Sequence, residues 1–309
     1  MLMESVELRV DICINTHKRP DLLLKLLQSL GAQRVDPAVG YRLIVVDNDA
    51  AASARQTVET FRAASPMEVV YDVQPVPNIA MTRNRAISHA RGAFIAFIDD
   101  DETAAPDWLQ RLVDASRQYR ADVVFGPVVP VFPESAPEWA VSSSFFRRGR
   151  HPTGTVLQEG IGANVLVRSS LLLDRPAPLD PAFTIIGGED VHLFSRLARG
   201  GARLVWCDEA VVLETVPASR MCARWIAKRA FLTGNSYGMM KLELLRWPGR
   251  LVYVAKCLGL IVVASLATPL AWLVSTRWGM RAIHRAVGNL GQILACCGVN
   301  VGTLSRDRE

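Results

Sequence analysis

The stretch ARGAFIAFIDDDETAAPDWL, residues 90–109, decides the fold. Its centre, AFIAFI at 93–98, is an unbroken apolar run, too short for most helices and of strand length. It stops at Asp99-Asp100-Asp101-Glu102. Before it, residues 80–91 read as a helix closed by Gly92. After it, residues 106–119 read as another helix with Pro106 near the first position, where its missing N–H costs nothing. The unit is helix, buried strand, acidic turn, helix.

The same grammar recurs on either side. LRVDICI at 8–14 is a β-prone run ending in the polar turn NTHKRP, followed by a helix at 21–30 with Leu at helical spacing and a stop at Gly31. RLIVV at 42–46 runs into Asp47-Asn48-Asp49, and a helical stretch follows at 54–64. MEVVYDV is a short strand before the turn QPVPN. Further on come a proline-broken strand at 122–132, an irregular loop rich in Pro, Ser and Arg at 133–160, and the strand GANVLVR at 162–168. A helix at 189–199 stops at Gly200-Gly201, ARLVWC and AVVLE are strands, and 220–245 is helical. Strand, turn, helix, strand, repeated, predicts an α/β fold with a mostly parallel central sheet flanked by helices. Ligands of such sheets bind at the carboxyl ends of the strands. Asp47 and Asp99 to Asp101 stand at such ends.

Three groups of residues carry chemistry. A strand ending in three aspartates suits a hard divalent cation, Mg²⁺ or Mn²⁺, with the remaining oxygens coming from a diphosphate and water. The bland alternative is a solvated acidic turn that caps a helix. GGED at 187–190 opens a helix, where the dipole favours a charged carboxylate. Glu189 or Asp190 can serve there as a general base, or both can be first-turn caps. In QPVPNIAMTRNRA, Arg83 and Arg85 point to different sides of a helix, one toward phosphate and one toward solvent. Arg224, Lys228 and Arg229 form a basic group suited to phosphate, to anionic lipid or merely to water.

With 309 residues, half of them apolar, the chain can bury a large core. Its net charge of +5 fits an anionic cosubstrate or membrane surface and selects neither. No basic run interleaved with aromatics suggests nucleic-acid binding. The six cysteines, Cys13, Cys207, Cys222, Cys257, Cys296 and Cys297, make no CxxC pair and read as reduced thiols, mostly buried. Glu4, Glu7 and Arg9 interrupt the N-terminus, which does not read as a signal peptide, so the catalytic part is expected in the cytoplasm.

The division predicted is a catalytic domain at 1–245 and a membrane-associated helical appendage at 246–309. CLGLIVVASLATPLAWLVST at 257–276 is uncharged and long enough to cross a bilayer. Arg246, Arg250 and Lys256 precede it, and Arg277, Arg281 and Arg285 follow, whereas a simple span concentrates positive charge on one side. With a second apolar stretch at 286–304, it reads as an embedded or interfacial hairpin, with a true span and a buried core helix as alternatives.

Taken in order, ICINTHKRPDLLLKLLQSL, LIVVDNDA, NIAMTRNRAISHARGAFIAFIDDDE, GANVLVR and GGEDVHLFSRLARGG resemble the family 2 glycosyltransferases with the A-type, nucleotide-diphospho-sugar transferase fold. The resemblance covers residues 8–237. DNDAAASAR, FIDDDETAAPDWL and VPASR…W…R…G are similar to the branch of bacterial exopolysaccharide enzymes of the succinoglycan glucosyltransferase type.

That resemblance implies roles residue by residue. Thr16 and Arg19 would lie near the nucleotide, Asp47 would bond uracil or ribose, and Arg83 would approach the donor. Asp99 to Asp101 match the metal and diphosphate motif, with Asp101 as direct ligand and Asp99 and Asp100 on the donor side. Asn164 would line the sugar or acceptor pocket, and Asp190 matches the base. Many relatives carry a metal-binding His after the base helix. Here the region reads VVLETVP, so Glu214 replaces it or the metal keeps more water. Met221, not Gln, precedes Arg224-Trp225, unlike the QxxRW of processive polymerases, which implies one sugar per encounter. The implied activity is metal-dependent, inverting transfer of a hexose, glucose first, from a UDP-sugar to a lipid-diphosphate-linked saccharide at the cytoplasmic face of the bacterial inner membrane, with membrane lipid as a partner. The rivals are a nucleotidyltransferase of related fold, which lacks a Gly-rich loop in NTHKRP, and a haloacid-dehalogenase-like phosphatase using Asp99, for which no convincing Lys or second acidic motif is present.

Overall fold

In the computed structural model, residues 8–181 and 188–299 are described. Glu4, Glu7, Gly187 of GGED and the far end of the second apolar stretch lie outside them. The chain falls into two compact units: Met1–Val131 with Arg148–Pro181 and Glu189–Thr215, and Phe132–Arg147 with Ala182–Gly188 and Val216–Glu309.

In the first unit, β1 (Leu8–Thr16) leads to α1 (Pro20–Gly31), which carries Pro at its start. Leu23, Leu26, Leu27 and Leu30 of α1 are fully buried at the i, i+3, i+4, i+7 spacing. Each contributes roughly 1.5–3 kcal/mol of transfer free energy. Next come β2 (Val39–Asp47), α2 (Arg55–Ala64) and β3 (Val69–Val73). α3 (Ile79–Ser88) opens on Asn78, whose side chain accepts from the Met81 amide at 2.9 Å. β4 (Phe94–Asp99), β5 (Glu102–Ala104), α4 (Trp108–Gln118), β6 (Val123–Phe125) and β7 (Val128–Val131) follow. The stretch at 122–132 is thus two strands, parted at Gly126-Pro127.

The main sheet runs β3-β2-β1-β4-β9-β6-β10-β8. Its remaining strands are β8 (Val156–Leu157), β9 (Val165–Arg168) and β10 (Leu204–Trp206). β3, β2, β1 and β4 are parallel, β9 runs antiparallel between β4 and β6, β10 is parallel to β6, and β8 closes the edge antiparallel. Strand order reverses about β1, so the ligand crevice expected of such sheets opens at the carboxyl ends of β1, β2 and β4. Register sets their final residues side by side, Thr16 against Asp47 and Asn15 against Asp99. A smaller sheet pairs β5 with β11 (Val212–Thr215), antiparallel, and β11 with β7, parallel.

The second unit holds α5 (Glu138–Val141), a 3₁₀ turn at Ala218–Arg220, and three long helices. In chain order after α6 (Ser170–Leu173) and α7 (Glu189–Arg199) of the first unit, these are α8 (Ala223–Leu244), α9 (Trp247–Val274) and α10 (Thr276–Cys296). The irregular loop predicted at 133–160 therefore contains α5 and β8. The boundary expected at 245/246 falls inside this unit, because α8 packs with α10. A Cβ on Gly234 would strike the Gly288 carbonyl, so small residues let these two backbones touch. Asn235 donates from Nδ2 to the Gly291 carbonyl at 3.1 Å across the same contact. All six cysteines are free, and Cys13, Cys207 and Cys257 are buried.

Candidate active site

Each acidic residue at a strand end has been given a partner by the fold. Thr16, the last residue of β1, donates from Oγ1 to Asp100 at 2.9 Å. Arg19, in the turn after β1, donates from Nη1 to Asp100 at 3.0 Å and to Asp101 at 3.2 Å. Burial pushes the Asp100 carboxyl up, against the pull of Arg19 and Thr16. Burial alone would lower the Arg19 pKa; the neighbouring carboxylates outweigh it and raise it.

Arg83 is the hub of the other side. It is 6 % exposed and comes from the buried face of α3. Its Nη2 donates to Asp99 at 3.2 Å and its Nη1 to Glu189 at 3.3 Å. Burial works to lower its pKa, and Asp99, Glu189 and Asp190 together raise it, so it stays a cation. Glu189 is held above the usual carboxylate range by burial, with Arg83 opposing. Arg85, as expected for the opposite side of α3, leaves the site and forks onto Asp72 at 2.6 and 2.9 Å.

Asp190 is half-buried at the start of α7. Its Oδ2 accepts from the Gly162 amide and its Oδ1 from the Val191 amide, both at 2.7 Å. A Cβ on Gly162 would strike Arg83 Nη1 and crowd the Asp190 Cβ. Gly162 is thus the close approach that lets the loop before β9 pass between the Arg83 guanidinium and Asp190. Of the two acidic residues in GGED, Asp190 is the one left partly open, while Glu189 is spent on Arg83.

Two of the expected ligand-binding residues are turned inward, which corrects the roles assigned to them from sequence. Asp47 is 0 % exposed. Its carboxylate accepts from the Ala54 amide at 2.7 Å, the Asp49 amide at 3.1 Å and the Tyr71 hydroxyl at 3.0 Å. It therefore shapes the turn after β2 and presents no oxygen to a base or ribose. Asn164 is 1 % exposed. Its Oδ1 accepts from Trp108 Nε1 at 2.7 Å, and its Nδ2 donates to the carbonyls of Pro127 at 2.9 Å and Ala210 at 2.7 Å. It ties α4 to the strand ends around β6 rather than lining a pocket, in a left-handed conformation (φ 48°) that Asn tolerates. Asn164→Ala takes their partner from buried Trp108 Nε1 and from the Ala210 carbonyl, at about 1–3 kcal/mol each, while the Pro127 carbonyl keeps the Val212 amide. Urea unfolding is expected to show a loss of about 2 kcal/mol or more. A loss under about 1 kcal/mol would return Asn164 to the pocket.

Sequence reading passed over the support beneath the aspartates. Glu102 is 1 % exposed, and its Oε2 accepts from the Asp99 amide at 3.0 Å. Burial, with Asp99 next, lifts its carboxyl well above the ordinary range. β5 and β11 pair Glu102 with Glu214, and the Thr215 amide donates to the Asp101 carbonyl at 3.2 Å. Arg148 donates to Glu214 at 3.3 Å. The signal was in the string itself: Glu102 follows the aspartates into a strand, where alternate residues turn inward.

A divalent cation was expected on Asp101, Asp99 and Glu214. Among the described residues no three His, Cys, Asp or Glu side chains converge as a cage. Glu214 reaches Arg148 instead. The donor chemistry of Asp99 and Asp101 still fits a hard cation, because such a cation keeps several waters and shares its ligand set with substrate phosphates.

The family model described as Glycosyl transferase family 2 matches residues 11–174, over half of the chain. The chain belongs to that family. A second model, Glycosyl transferase family group 2, matches residues 94–297 and takes in Glu189 and Asp190. Among curated family relatives, the Succinoglycan biosynthesis protein ExoM of Rhizobium meliloti is 36% identical over 248 residues, 78% of each chain. Glycosyltransferase AglE of Haloferax volcanii is 24% identical over 204 residues, 65% of each. Among solved structures, the mannosyltransferase PcManGT from Pyrobaculum calidifontis, in complex with GDP-Man and Mn²⁺, aligns with a TM-score of 0.63 at 17% identity, over 98% of this chain and 88% of that one. S. aureus TarS 1–349 in complex with UDP aligns at 0.53 and 18% identity, over 94% and 92%. These structures share the fold. As a family 2 glycosyltransferase with this sheet, the chain is neither the phosphatase nor the nucleotidyltransferase considered from sequence.

Proposed function

We propose that this glycosyltransferase is an inverting, non-processive hexosyltransferase that moves a hexose, glucose in the first instance, from a UDP-sugar to a lipid-diphosphate-linked oligosaccharide in exopolysaccharide or surface-polysaccharide synthesis. It works at the cytoplasmic face of the bacterial inner membrane. The observation that carries the reading is the meeting of two arginines, exposed Arg19 and buried Arg83, with Asp99 to Asp101 at the strand ends, beside Asp190. Likeness to a succinoglycan biosynthesis protein supports the pathway class, and a UDP complex on the same fold supports the donor base.

The acceptor hydroxyl attacks the anomeric carbon as the carbon–oxygen bond to the diphosphate breaks, and its proton passes to Asp190. One displacement inverts the centre, so no covalent intermediate is needed. Arg19 and Arg83 are placed to balance charge on the diphosphate. Mg²⁺ or Mn²⁺ on Asp101 and Asp99 would supply Lewis-acid neutralisation of the leaving group when bound. Glu189 keeps Arg83 oriented rather than moving a proton. A panel of nucleotide sugars, with a membrane extract as acceptor source and with or without chelator, tests the reading. Transfer from one UDP-hexose, lost on chelation, is expected; transfer from none, or unchanged on chelation, would remove the donor or the metal respectively.

A further inference from the structure

The three long helices of the second unit carry an arrangement that composition did not reveal. α10 packs along both α8 and α9, whereas α8 and α9 share no comparable contact among the described residues. α10 is therefore the middle layer and α9 an outer one. α9 is the only described helix long and apolar enough to cross a membrane, and only 11% of its most apolar window is buried, unlike a core helix. Its packed positions, Cys257, Ile261, Ala264 and Thr268, form one narrow stripe. The rest of its circumference is open and apolar, including Leu251, Leu258, Val263, Leu266, Leu270 and Leu273.

α10 runs antiparallel beside this segment. Tyr253 donates its hydroxyl to Gln292, and at the other end a Cβ on Gly279 would meet the Trp272 ring. Counting along the two helices between those contacts brings Arg285 level with about Val262 and Val263, near the centre of the uncharged stretch. Arg285 is exposed. Trp278, Arg281 and Arg285 stand at i, i+3 and i+7, one flank of α10, and the Arg281 guanidinium lies 5.1 Å from the Trp278 ring centre. If α9 crossed a bilayer, α10 would cross beside it and leave Arg285 near mid-plane, among the costliest placements for any side chain.

We infer that α9 lies along the surface of an anionic leaflet, sunk to the acyl boundary, with the Trp278–Arg281–Arg285 flank of α10 at headgroup level. This deepens the membrane-lipid partner proposed above and rests on that reading. The charge at both ends of α9, awkward for a span, then meets one surface: Arg246 and Lys256 at its start, Arg277 after its end. At about 1.5 Å per residue its 28 residues reach about 42 Å, longer than the roughly 30 Å of hydrocarbon that a span must match. The basic group Arg224, Lys228 and Arg229 is exposed on α8, away from the side that packs on α10, and takes no part.

Two experiments on the full chain test this. Thr276→Cys places a thiol at the exposed α9–α10 turn, and mass spectrometry of that peptide reports its modification by a membrane-impermeant maleimide. Labelling in inverted vesicles and not from the outside of intact spheroplasts is expected. Labelling from the outside, or from neither side, overturns the in-plane placement. In the second, purified protein is bound to phosphatidylglycerol-containing vesicles and to neutral phosphatidylcholine vesicles. The triple change R277Q/R281Q/R285Q is expected to weaken binding to the anionic vesicles by about a hundredfold, at about fivefold per arginine, while R224Q/K228Q/R229Q changes it less than about threefold. Equal losses for the two triples overturn the layer assignment. UDP binding is measured on the same samples: its absence from the unaltered protein would sink the donor reading, whereas its presence with an outward-facing turn would sink only the in-plane helix.

Discussion

Asp190→Asn is expected to bind UDP-sugar within about threefold of the unaltered enzyme and to transfer about 10²- to 10⁴-fold more slowly, the usual contribution of a positioned general base. The substitution is mild in every other respect. The Asn side-chain oxygen can still accept from the Gly162 or the Val191 amide, both of which reach Asp190 at 2.7 Å. The start of α7 and the glycine passage beside Arg83 are therefore retained. What is lost is the basicity that accepts the acceptor proton. Calorimetry with the UDP-sugar and a radiolabelled transfer assay separate the two effects. Near-normal transfer would sink the role of Asp190 and move the base to Glu189, despite its burial against Arg83.

Asp101→Ala is expected to abolish the part of donor binding that a chelator abolishes in the unaltered protein. The loss should exceed the roughly 10–100-fold that removing an outer partner costs a metal site. Arg19 retains Asp100 at 3.0 Å, so the turn after β1 keeps its anchor. The Asp101 carbonyl still accepts from the Thr215 amide, because that bond uses the backbone. Donor affinity is measured with and without chelator. Affinity that still falls on chelation in the variant would take the metal away from Asp101.

The fold was legible because its signals are local. The apolar run at 93–98 reads as a strand buried on both faces between helices, the mark of a mostly parallel sheet, although β4 also takes antiparallel β9 as its other neighbour. Pro106 and the polar turn residues mark where chain direction changes. Partition of the functional residues was much less legible. Asp47 and Asp99 both end strands, yet Asp47 has its carboxylate filled by Ala54, Asp49 and Tyr71. Asp99 instead stays 35% exposed beside Arg83. Asn164 sits in a string that resembles a binding motif, but its amide is consumed by groups 37 to 56 residues away in sequence.

The sequence by itself determined the order of strands and helices, the acidic residues at strand ends, and an apolar segment too long and too uncharged for an ordinary surface. Those follow from hydrophobic periodicity and turn chemistry, which act within a few residues. Only the tertiary structure decided which carboxylates remain open, that Arg83 reaches Glu189 across 106 positions while also holding Asp99, and that α10 runs antiparallel beside α9 with Arg285 level with its middle. Hydrogen bonds and ion pairs saturate their partners at distances of about 3 Å, and which groups come that close is set by the packing of the whole chain.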